Sequence, residues 1–197
     1  MTGARAAPAI RRPARAQLLG AVLALLVAAA CLGHAGWIHA KAWLAQALIE
    51  RAYVSGGPPW PWADTRPVAK LLLPGAARPL YVLAGGSGRN LAFGPALDSA
   101  SVLPGAAGNS IISGHRDTHF RSLAGLAVGD RIEVERRDGA AITFVVAALN
   151  VVDSRRARLA LDVDRPQLTL VTCYPFDAIH PNGPLRFVAT AVPAAEL

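Results

Sequence analysis

RIEVERRDGAAITFVVAALNVVD (Arg131–Asp153) is the stretch on which the reading of the fold turns. Ile132 and Val134 alternate with Arg131, Glu133 and Glu135, the period of two that puts apolar side chains on one face of a strand. Asp138-Gly139 supplies a hairpin turn, and Ile142–Val152 resumes as the partner strand. Outward from this hairpin the chain stays strand-like. Val68–Leu73, Pro79–Leu83, Leu91–Leu97 and Ser110–Ser113 precede it, and Gln167–Cys173 and Leu185–Val192 follow. One short helix is expected around Phe120–Leu126. About eight short strands with Gly/Pro turns and little helix predict a mainly β domain, either a closed antiparallel barrel or a sandwich.

Composition agrees with a packed domain. The chain has 197 residues, 53% hydrophobic and 17% charged, so intrinsic disorder is excluded. The 18 Gly and 15 Pro follow no period, which excludes collagen and solenoids. Two Cys make neither a disulfide scaffold nor a four-thiolate zinc site. The net charge is +7, but four of the positive residues are Arg5, Arg11, Arg12 and Arg15, ahead of everything else. The remaining Arg residues lie among Asp and Glu, with no basic stripe interleaved with aromatics, so nucleic acid is not an expected partner.

Those four Arg border an apolar segment. From Ala16 to Ala40 there is no Lys, Arg, Asp or Glu, and Leu18–Gly33 is almost wholly apolar. A helix of about 20 such residues spans a bilayer. Positive charge before the span predicts a cytoplasmic N-terminus, with the rest of the chain outside the inner membrane. A cleaved export signal is the alternative, and it exports the same domain. Cys31 lies within the span. Lys41–Tyr53 reads as a helix with Leu44 and Leu48 one turn apart, and Ser55–Pro67 breaks it with Pro and Gly. The expected layout is a cytoplasmic basic tail over 1–17, an anchor over 18–38, a stalk helix and Pro-rich linker over 39–63, and a β domain over 64–197.

Three stretches carry candidate chemistry. TLVTCYPF (Thr169–Phe176) puts Cys173 at the end of a strand, on one face with Thr169 and Val171, with Thr172 pointing the other way. NSIISGHRDTHF (Asn109–Phe120) puts His115 where an apolar run becomes a loop. GPLRFVATAV (Gly183–Val192) interrupts the last strand with Arg186. A buried inert Cys, a structural His and a solvated edge Arg are the plain readings of each alone. Together they are a set for acyl transfer: a thiolate nucleophile, an acid for the departing amine and a cation for the oxyanion. His115 and His119 do not fill a metal site by themselves.

SGHR (Ser113–Arg116), TLVTC (Thr169–Cys173) and LRFVATA (Leu185–Ala191), in that order, resemble the sortases, membrane-anchored cysteine transpeptidases. The resemblance covers roughly Trp60–Val192. PWPWADTRPVAKL (Pro59–Leu71) and CYPFD (Cys173–Asp177) are most similar to the class described from Gram-negative bacteria. The resemblance implies a closed eight-stranded sortase barrel, with His115, Cys173 and Arg186 as catalytic residues and Thr172 as a substrate contact. It implies a substrate protein with a C-terminal LPXTG-like signal, cleaved between Thr and Gly through a thioester that an amine acceptor resolves. The domain would then face the periplasm. No cofactor is implied, and no acidic cluster matches the calcium site of some sortases, so no metal is expected. The alternatives are an L,D-transpeptidase-like enzyme, a cysteine peptidase that uses water as acceptor, and a non-enzymatic envelope assembly module. The first expects Gly before the Cys and Arg closely after it, where Thr172 and Tyr174 stand here.

Overall fold

The computed structural model describes residues 14–76, 78–178 and 183–196. The chain divides into two compact units, residues 1–43 and 44–197. The first contains most of helix α1 (Ala14–Ser55). Within it Gln17–His34 has a mean hydropathy of 2.0 and no buried residue, the one described helix long and apolar enough to cross a membrane. Lys41 places its ammonium 5.0 Å from the centre of the Trp37 ring.

The second unit is built from β1 (Pro67–Leu72), β2 (Leu80–Ala84), β3 (Ala96–Leu97), β4 (Gly108–Ser113), β5 (Arg131–Arg136), β6 (Ala141–Asp153), β7 (Pro166–Cys173) and β8 (Leu185–Pro193). They close into a barrel in the order β1-β2-β3-β4-β7-β8-β6-β5. The period-two pattern is realised directly: in β5 Ile132 and Val134 are buried and Arg131, Glu133 and Glu135 exposed. Inward residues from every side fill the barrel, among them Leu71, Val82, Ile112, Ile132, Phe144, Leu168, Leu170 and Ala189. Gly139 takes φ +89° in the β5–β6 turn, the left-handed conformation that Gly adopts without penalty. The long strand β6 pairs with β5 through its first half and with β8 along most of its length.

The barrel is not wholly antiparallel. β2 pairs β3 in parallel, and so does β4 with β7. A parallel pair needs a crossover: between β4 and β7 the β5–β6 hairpin occupies it, and between β2 and β3 it carries a one-turn helix. The strand expected over Leu91–Leu97 is corrected to a one-turn helix α2 (Gly88–Leu91) followed by the two-residue β3. Ser87 caps that turn by accepting from the Asn90 N–H, and the buried Asn90 amide donates to the carbonyls of Ala84 and Gly85. The short helix expected near Phe120–Leu126 is a 3-10 turn over Arg121–Gly125. Phe120 and Leu123 drop from it into the core.

The last turns of α1, from Leu44 on, group with the barrel. Their buried face is Ala45, Ile49, Ala52 and Tyr53, while Leu44 is exposed, so the face is rotated from the Leu44/Leu48 pairing expected from sequence. Tyr53 anchors that face. Its hydroxyl donates to the Glu135 carbonyl at 3.0 Å and its ring meets Tyr81 at 5.5 Å. Trp60 packs edge-on against Phe93 at 5.0 Å, whereas Trp62 is exposed.

Candidate active site

Cys173 is the last residue of β7, and the strand's alternation orients it. Leu168 and Leu170 fill the core, and Thr172 continues that inward row. Thr169, Val171 and Cys173 take the outer face. The Cys173 thiol is free and half-buried. Across β7·β8 it is the register partner of Arg186, with Thr172 opposite Phe187. Directly opposed Cα atoms in an antiparallel pair lie about 4.5–5.5 Å apart, so thiol and guanidinium share one end of the sheet.

Arg186 is half-buried and anchored by its own connection. Its Nη1 donates to the Gly183 carbonyl at 2.7 Å and to the Leu185 carbonyl at 2.8 Å. With five donors on the guanidinium, the remaining N–H groups are free to face an anion. Beyond Cys173, Tyr174 and Phe176 meet edge-on at 6.1 Å, and Phe176 meets Phe187 at 5.2 Å, so the chain leaving the Cys is pinned to the core by aromatic contact.

His115 stands two residues beyond the end of β4, after Gly114, and is exposed. The residue before it carries the link to Cys173. The Gly114 N–H donates to the Val171 carbonyl at 3.1 Å, which extends the β4·β7 ladder. The Gly114 carbonyl accepts the Thr172 hydroxyl at 2.7 Å. A Cβ at Gly114 would stand 2.7 Å from the Phe120 ring, so only Gly lets that ring seat. The Phe120 N–H in turn donates to the His115 carbonyl at 2.9 Å. His115, Cys173 and Arg186 thus come together at one end of β4, β7 and β8.

Thr172 is 2% exposed, and its hydroxyl is spent on Gly114. Thr172→Val is expected to lower the unfolding free energy by about 1–3 kcal/mol, because the Gly114 carbonyl loses its donor. Thr172→Ser should restore most of it in a thermal or denaturant melt.

A second polar set was legible only in part. Asn109 is the second residue of β4 and is buried. It donates from Nδ2 to the Ala160 carbonyl (2.8 Å) and from its backbone N–H to the Leu161 carbonyl (3.0 Å), and Oδ1 accepts the Thr169 hydroxyl (2.8 Å). These bonds hold the β6–β7 connection against the face that carries Cys173. An amide inside an apolar strand is the sequence signal, since burying it unpaired is costly. His119 stands apart from this chemistry: burial, with His115 nearby, lowers its pKa below the usual histidine value, and Nδ1 lies 3.3 Å from the Thr118 hydroxyl. Among the described residues no three of His, Cys, Asp and Glu converge on a metal position.

A family model for the sortase domain matches residues 71–194. The chain belongs to the sortase family. It is 33% identical over 89 residues to Sortase D of Bacillus subtilis (strain 168), a match covering 45% of this chain and 44% of that relative, so it spans less than half of the relative's length. Sortase A from Corynebacterium diphtheriae superposes with a TM-score of 0.59 at 26% identity, over 68% of this chain and 63% of that one. A lid mutant of the same enzyme gives 0.59 at 24% identity, over 76% of this chain and 93% of that one. A Clostridium perfringens Sortase D5 transpeptidase gives 0.56 at 22% identity, over 65% and 79%. The last two bear on the fold alone. The sortase barrel is therefore the architecture of β1 to β8, residues 67–193.

Proposed function

We propose that this sortase is a membrane-anchored cysteine transpeptidase that cleaves an LPXTG-like C-terminal sorting signal and passes the acyl group to an amine. The observation that carries the reading is the register pairing of Cys173 with Arg186, beside the strand end that delivers His115. The Cys173 thiolate attacks the Thr–Gly carbonyl. Arg186 hydrogen-bonds the oxyanion and stays charged throughout. The C–N bond breaks as protonated His115 gives its proton to the departing amine, leaving a thioester on Cys173. An incoming amine attacks the thioester, His115 takes the proton back, and Cys173 leaves as thiolate with a new amide formed. Thr172 supports this arrangement through Gly114.

In this reading Gln17–His34 is the anchor, with the basic tail in the cytoplasm and the barrel in the periplasm. Intact-mass spectrometry on the full chain in detergent tests the reaction, using an LPXTG-type peptide with and without an added amine. The expected result is a thioester adduct on Cys173 that moves to the amine as a new amide. An adduct that only hydrolyses would make the protein a peptidase. No adduct, from a thiol that also resists alkylation, would leave an envelope assembly module.

A further inference from the structure

We infer that Arg116 is a positioning residue that fixes the His115 loop against the chain leaving Cys173. The inference rests on the transpeptidase reading above. Arg116 Nη2 donates to the Ala178 carbonyl at 2.8 Å, across 62 residues of sequence. Ala178 lies in the turn just after the Cys, where its N–H donates to the Pro175 carbonyl at 3.4 Å. Phe176 in that turn is seated on Phe187.

The bond closes a ring of contacts around the reacting pair. On the inner side Gly114 is held to β7 by Val171 and Thr172. On the outer side Arg116 is held to the turn at 175–178. His115 is the residue between those two holds, and Cys173 ends β7 two residues before the turn. The distance between imidazole and thiol is thus set from both flanks. A guanidinium suits the task, because it keeps its charge at every working pH, and a charge-assisted hydrogen bond is roughly twice as strong as a neutral one. A misplacement of about 1 Å between reacting groups costs up to about 100-fold in rate.

The test compares the full chain in detergent with Arg116→Gln and Arg116→Lys, using an LPXTG-type peptide and an added amine. Turnover, thermal midpoint and the rate of Cys173 alkylation by iodoacetamide are measured on each. Arg116→Gln is expected to lower kcat by about 10–100-fold, with KM within about two-fold of the parent and the thermal midpoint nearly unchanged. Arg116→Lys should recover part of kcat, because an ammonium still donates to the Ala178 carbonyl. A parental kcat in Arg116→Gln overturns the inference. So does a loss carried by KM, which would make Arg116 a substrate contact, or a loss that follows a fallen thermal midpoint and is not recovered by Lys. If the parent itself turns nothing over, the transpeptidase reading fails separately. Alkylation then decides on its own: a rate changed by at least about three-fold in Arg116→Gln supports the hold, and an equal rate overturns it.

Discussion

Cys173→Ala is expected to lower thioester formation and turnover by about 10⁴-fold or more, with the barrel intact. The acyl group has nowhere else to go, since the second Cys, Cys31, lies in the apolar part of α1. Folding should be nearly indifferent. Cys173 ends its strand, is only half-buried and forms no disulfide, so Ala removes one sulfur and opens no core cavity. The measurement is intact mass after incubation with an LPXTG-type peptide, paired with a thermal melt. An adduct that persists in the Ala variant would refute the nucleophile.

Starting the barrel at residue 64, where the Pro-rich segment ends, is expected to lower its thermal midpoint by about 10–20 °C relative to a start at residue 44. The helix turns that would be lost bury Ile49 (1% exposed) and Tyr53 (6%). Removing those two side chains from the interface forfeits about 3–6 kcal/mol of apolar burial. In a domain of this size each kcal/mol moves the midpoint by about 2–4 °C. Polar contacts go too. Burial and then the adjoining Glu135 carboxylate raise the Tyr53 pKa to about 12, and the hydroxyl donates to the Glu135 carbonyl at 3.0 Å. The Lys70 ammonium sits 4.8 Å from the centre of the same ring, and the Gln46 amide donates to the Phe93 carbonyl at 2.7 Å. Differential scanning calorimetry of the two chains decides it, and equal midpoints would mean that the helix merely leans on the barrel.

Much of this protein is legible in one dimension because its signals are local. Strand alternation in Arg131–Asp153, the Asp138-Gly139 turn and the apolar run Gln17–His34 depend on neighbours a few residues away, so their spacing alone determines them. The motifs around His115, Cys173 and Arg186 likewise sufficient to point to the family. Where local and tertiary forces compete, the sequence misleads. Leu91–Leu97 has the composition of a strand, yet Ser87 and Asn90 find backbone partners that favour a turn. Leu44 and Leu48 form a pair one turn apart in the α1 tail, yet the face that docks is the one holding Ile49 and Tyr53, where apolar burial is joined by the Tyr53 hydroxyl donating to the Glu135 carbonyl.

The site divides in the same way. Residue types and chain order came from sequence, including the opposite facing of Thr172 and Cys173 along β7. The loop between consecutive strands already allowed Cys173 and Arg186 to approach, and the structure supplies the register that makes them partners. That Thr172 spends its hydroxyl on Gly114 and that Arg116 reaches Ala178 were decided by tertiary structure alone, since these contacts join groups 58 and 62 residues apart. Such contacts depend on which strands become neighbours when the barrel closes, and the parallel β4·β7 pairing that aligns the His loop with the Cys strand has no local signature, because its register is set by burial of the whole sheet rather than by any turn.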